Sequence, residues 1–93
     1  MKNFLGYNVN LPVMIFKEDD AFVAYTPALD LSTVGENFEI AKKRFNEAVK
    51  IFFQEVIENG TIEEVLAGNG WTKVNKNWQA PTTVFHNNIP VGV

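Results

Sequence analysis

The side chains able to do chemistry in this chain are few and scattered. His86 is the sole histidine and cysteine is absent, so a zinc site with three protein nitrogen or sulfur ligands lacks its donors. His86 reads as a surface or strand-edge residue; paired with Asp30 it would carry a residual hydrolase activity. Ser32 has the oxygen of a nucleophile but neither a G-x-S-x-G elbow nor a neighbouring base. Glu18-Asp19-Asp20 offers carboxylates to a hard cation, yet no EF-hand spacing follows, and three adjacent acids read as a solvated turn. Gly68-x-Gly70 follows a helical segment and lacks the third glycine of a dinucleotide fingerprint, which makes it a helix stop. Lys42-Lys43-Arg44 and the pair Trp71 and Trp78 would serve RNA, by phosphate contact and base stacking. Glu39 and Glu47 dilute the basic triplet, and without surrounding cations the two tryptophans read as core or interface packing. No catalytic residue, metal ligand or cofactor is assigned, and the chain is expected not to be an enzyme.

Composition narrows the partner more than the activity. The chain has 93 residues, 46% hydrophobic and 20% charged, enough for one core and too few for two. Its net charge of -3 supplies no positive field for phosphate backbones, so direct DNA binding is not expected and a basic partner suits it better. Polar residues interrupt the N-terminal segment Met1 to Asn8 before an apolar h-region develops. No later apolar run approaches the roughly 20 residues of a membrane span. A cytoplasmic protein without a membrane partner is the expectation.

The elements that must position these groups follow from periodicity. Leu11-Pro12-Val13-Met14-Ile15-Phe16-Lys17 predicts a strand, with Pro12 at its start where a missing N–H is tolerated. Phe22 to Pro27 alternates and predicts an antiparallel second strand across the acidic turn, and Leu31 to Val34 a third. Asn37 is placed to cap a long helix. Its apolar stripe is Phe38, Ala41, Phe45, Ala48, Phe52 and Val56, widened by Val49 and Ile57, and Asn59-Gly60 closes it in a left-handed cap. Ile51 and Phe53 fall off the stripe and, with Trp71 and Trp78, predict a homo-oligomer interface, most simply a homodimer. Thr61 to Glu64 has the form of a capping box opening a short helix over 61–67. Trp71 to Trp78 predicts a hairpin around Asn75-Lys76-Asn77, and Thr82 to His86 a last strand before a tail. The expected fold is α+β, an antiparallel three- to four-stranded sheet packed by one long helix, with a short second helix and a C-terminal hairpin. One domain spans 1–93, its core about 11–60 and its C-terminal strands within 71–86.

The order of elements resembles the HicB-like antitoxin family. The resemblance rests on the acidic hairpin turn, on Phe22-Val23-Ala24-Tyr25-Thr26-Pro27-Ala28-Leu29, and on Gly35-Glu36-Asn37-Phe38-Glu39-Ile40-Ala41 opening the helix. It covers about residues 11–60. Ala28 stands where the family often has Asp, Asp30-Leu31-Ser32 replaces a Pro-Gly-Cys turn, and Ile40 replaces the capping-box Glu. The resemblance implies a β-β-β-α-β core related to a reduced ribonuclease-H-like fold without nuclease activity. It also implies a cognate basic partner, a HicA-like mRNA-cleaving toxin bound and occluded by protein–protein contact, and frequent oligomerisation. A separate DNA-binding module, common in the family, is not expected within these residues. Partner contacts are expected at Tyr25, Ala28, Leu29, Asp30, Leu31, Ser32 and Glu36. A small RNA-binding regulator and an orphan HicB-like domain without a toxin are the alternatives.

Overall fold

In the computed structural model, which describes residues 9–93, β1 (Met14–Glu18), β2 (Ala21–Thr26) and β3 (Leu31–Gly35) form an antiparallel three-stranded sheet in the order β1-β2-β3. The reading of residues 1–8 as lacking an h-region lies outside the described residues. Asp19 adopts a φ of 52° in the tight β1–β2 turn, a left-handed conformation that Asp tolerates because its short side chain can bond locally. The pairing sets Ile15, Ala24 and Thr33 in one row and Met14, Tyr25 and Ser32 in the next. Opposed residues share a face and successive ones alternate, so Ile15, Phe22, Ala24 and Thr26 point to the core side. Met14, Phe16, Val23, Tyr25, Ser32 and Val34 point away from it.

A single helix, α1 (Phe38–Glu58), covers the core side. Asn37 caps it, its side-chain oxygen accepting from the Ile40 N–H at 2.9 Å, as the sequence predicts. Gly35 brings α1 onto the end of β3: a Cβ there would lie 2.4 Å from the Ala41 nitrogen, so only glycine allows the approach. The Thr33 hydroxyl then donates to the Ala41 carbonyl and Arg44 Nη1 to the Val34 carbonyl, at 3.3 and 2.9 Å. These bonds tie β3 to the helix.

The buried stripe of α1 differs from the expected one. Ala41, Phe45, Phe53 and Val56 are buried, Phe52 is half-buried, and Phe38 and Ile57 are exposed. At 1.5 Å per residue the helix runs about 31 Å, longer than the sheet beneath it. Its first half packs Ala41 and Phe45 on Ala24, while its second half leaves the sheet. There Phe53 and Val56 join Ala28, Leu29, Leu66 and Trp71 in a second cluster. Two layers cover the helix from different directions, and no single stripe describes both.

The chain then turns twice by the same device. After α1, the Gly60 N–H bonds to the Ile57 carbonyl and the Thr61 N–H to the Val56 carbonyl; after α2 (Ile62–Gly68), the Gly70 N–H bonds to Ala67 and the Trp71 N–H to Leu66. Both are Schellman closures around a left-handed glycine. The second sets Trp71 directly on Leu66. The expected capping box at Thr61 is not formed, for its side chain makes no cap bond. Thr61 already closes α1, which holds it at a ψ of 9°, away from the extended geometry an N-cap needs.

A separate hairpin, β4 (Thr72–Val74) and β5 (Asn77–Gln79), ends the regular structure. Its loop residues Asn75 and Lys76 both have positive φ, 50° and 73°, as a two-residue type I′ loop requires. Among the described residues the main sheet therefore has three strands, and the last strand expected at Thr82 to His86 is absent. That segment instead has no regular secondary structure, is exposed, and lines a groove together with β1. Pro81, which has no N–H to donate, stands at its start.

Candidate partner-binding face

The β2–β3 connection, residues 27–30, is held rigidly from beneath. Fully buried Thr26 accepts the Ala28 N–H on its hydroxyl at 3.2 Å. The Trp71 indole N–H donates to the Ala28 carbonyl at 2.7 Å across 43 residues of sequence. Phe53 meets the Trp71 ring edge-on with centroids 6.2 Å apart. A short loop, exposed at Pro27 and Asp30, is thus anchored to the core by one buried bond and one aromatic contact. Among the described residues, no buried side-chain nitrogen or oxygen lacks a hydrogen-bond partner.

On that support, Asp30 turns outward with a φ of 50° and accepts a hydrogen bond from the Tyr25 hydroxyl at 3.1 Å. The hydrogen bond to Asp30, then desolvation, and then the charge of Asp30 hold the Tyr25 phenol above its ordinary pKa, since ionising it would place two anions together. Ser32 lies directly across from Tyr25. Of the residues expected to meet a partner, these three share one exposed corner. Next to them the outer sheet face is apolar and open, with Phe16 48% and Val34 52% exposed.

Four expected contacts do not belong to that corner. Ala28 and Leu29 are buried in the core cluster, and Leu31 packs against it, because the loop's apolar side chains turn inward beneath α1 and Trp71. Glu36 follows the far end of β3, next to the acidic turn, since Gly35 pairs with Phe22. Asp30 and Glu36 stand roughly 20 Å apart at 3.3 Å per residue. That is about twice the screening length at physiological salt, so they do not act as one charged patch.

The expected oligomer surface also changes. Phe53 and Trp71 are only 5% and 3% exposed and are core residues, so neither can meet another chain. Trp78 is half-buried against the same cluster, with the Lys73 ammonium 5.7 Å from its ring. Ile51 alone remains plainly exposed. The signal for Phe53 and Trp71 was the helix length together with the Leu66–Gly70–Trp71 closure. The open face was legible as the outward half of the strand alternation.

Other groups are placed apart. Lys73 binds Glu63 at 2.8 Å in an exposed ion pair, which lowers the Glu63 pKa. Arg44 is engaged by β3, and the Lys42 ammonium sits 6.0 Å from the Phe38 ring. His86 lines the groove beside β1 with Met14 and Phe16. Among the described residues no three His, Cys, Asp or Glu side chains could hold a metal ion, and no helix is long and apolar enough to cross a membrane. Compared with protein-family models, curated proteins and solved structures, the chain matches none.

Proposed function

We propose that this chain is a non-catalytic HicB-like antitoxin, working in the cytoplasm as a homodimer, that binds a basic HicA-type mRNA-cleaving toxin and occludes it by protein–protein contact. The observation that carries the reading is the Tyr25–Asp30–Ser32 corner, exposed above and fixed below by the Trp71–Ala28 bond. A loop fixed before binding loses little conformational entropy on association, so more of its contact energy appears as affinity. Asp30 offers a carboxylate to toxin lysines and arginines, and the overall charge of -3 speeds encounter with a cationic partner. The open sheet face and the edge of β1, unpaired among the described residues, would supply apolar and backbone surface for a second copy. The RNA-binding alternative is weakened by the same geometry, because Trp71 cannot stack a base from inside the core and Arg44 is held by a backbone carbonyl.

The test is binding of the purified chain to the small basic protein encoded beside its gene, followed by calorimetry and a co-expression growth assay. Asp30→Lys should weaken binding and restore toxicity. Asp19→Lys and Glu36→Lys, at the other end of the sheet, should do little. Equal effects of all three would remove the corner from the interface, and no binding by the unaltered chain would remove the antitoxin reading.

A further inference from the structure

The two outer edges of the sheet are treated differently. β3 is bonded to α1 through the Thr33 hydroxyl and the Arg44 guanidinium. Among the described residues β1 pairs only with β2, and its first three residues, Met14-Ile15-Phe16, carry no charge. An uncharged, unpaired edge is a template for another strand. A groove of about 910 Å³ is lined by Val13, Met14 and Phe16 at β1 and by Thr83, Val84 and Phe85 of the C-terminal segment. One five-residue strand is about 17 Å long, 4.8 Å wide and 10 Å deep, or roughly 800 Å³. The groove therefore has the volume of one missing strand.

The same chain carries a segment suited to that space. Residues 80–93 contain no Asp, Glu, Lys or Arg, and Thr82-Thr83-Val84-Phe85 is rich in β-branched and aromatic residues. Val84 and Phe85 are 93% and 65% exposed, which leaves them without cover in one copy. This segment already lines the groove together with β1. Its counterpart from a second copy would fit between the two.

We propose that the homodimer forms by reciprocal strand exchange, Thr82 to His86 of each copy entering the other's groove. The order across the dimer is then β1, the second copy's segment, the first copy's segment, and the second copy's β1. That order satisfies both grooves at once under a two-fold axis, with the two segments antiparallel at the centre. Each sheet gains backbone partners for its open edge, and the result is one continuous eight-stranded sheet. The inference rests on the dimer reading above and names its strands; it does not depend on the toxin.

Light scattering and a mixed-cysteine cross-link test it on the full chain. The unaltered protein should run at twice 10.5 kDa. Val84→Pro, which removes an N–H from an exposed residue, should weaken dimerisation at least about tenfold, a loss of the order of one good contact, with circular dichroism and thermal unfolding of the diluted monomer unchanged. Asn88→Pro, beyond the paired residues, should leave the dimer intact. Because the chain has no native cysteine, Phe16→Cys and Val84→Cys variants mixed in equal amounts should be joined to each other by a short bis-maleimide. A dimer that survives Val84→Pro, or fails to cross-link, overturns the exchange and leaves dimerisation standing. A monomer at all concentrations overturns both.

Discussion

Replacing Trp71 with Phe tests the support beneath the candidate face. The substitution keeps an aromatic ring against Phe53 but deletes the indole N–H, which donates to the buried Ala28 carbonyl at 2.7 Å. A buried acceptor stripped of its donor costs about 1–3 kcal/mol, and the smaller ring leaves a void worth roughly 1 kcal/mol more. The expected destabilisation is therefore about 2–4 kcal/mol, a large part of the roughly 5–15 kcal/mol that holds a domain together. For a domain of this size each kcal/mol lowers the melting temperature by about 4–8 °C, so a fall of at least ~10 °C is expected. Urea unfolding followed by far-UV circular dichroism avoids the confusion of removing a fluorophore. Val74→Ala, on the exposed face of the hairpin, is the control and should cost less than about 1 kcal/mol. If the two substitutions proved equal, or Trp71→Phe cost less than about 1 kcal/mol, the bond would not be what fixes the loop.

Three further outcomes are expected. Asn37→Ala should cost about 1 kcal/mol in urea unfolding, because the Ile40 N–H loses its acceptor at the start of α1. Lys76→Gly should stabilise by about 1 kcal/mol, since a side chain at a φ of 73° bears a left-handed penalty of roughly that size, and thermal melts should move upward. Tyr25 should titrate above its ordinary value of 10.0 by tyrosinate absorbance, and Asp30→Asn should bring it back, because hydrogen bonding to Asp30 is the largest cause of the shift. With the folded-state pKa raised, this pair's contribution to stability is complete below the unfolded-state value and is lost as pH climbs through the folded one.

Local signals were legible where one residue decides one conformation. Asn37 caps α1, Gly60 closes it, and the strand phases of Phe22, Ala24 and Thr26 are those seen. What sequence periodicity did not reveal was where a neighbouring layer ends. A stripe through Phe45 and Phe52 assumes one flat sheet under the whole helix, whereas the sheet stops and Leu66 and Trp71 take over, selecting Phe53. Thr61 shows the same limit at a smaller scale. Its capping-box pattern was correct in type, but the residue was already committed to closing the preceding helix.

The candidate face was legible in part for a related reason. Sequence proximity groups Ala28, Leu29, Asp30, Leu31 and Ser32 as one loop, yet a loop with a buried underside divides its side chains between core and solvent. Only Asp30 and Ser32 remain outside, where the strand register adds Tyr25. Glu36 is six residues from Asp30 in sequence and a full strand away in space. The acidic groups thus fall into two sets, Glu18, Asp19, Asp20 and Glu36 at one end of the sheet and Asp30 at the other. Screening within about 8–10 Å keeps these sets independent at physiological salt. A charge reversal at Asp30 therefore reports on the Tyr25 corner alone, and reversals at Asp19 or Glu36 report on general attraction to a cation. The same topology assigns the remaining surface: Thr33 and Arg44 bond β3 to α1, and among the described residues no strand lies beside the outer edge of β1.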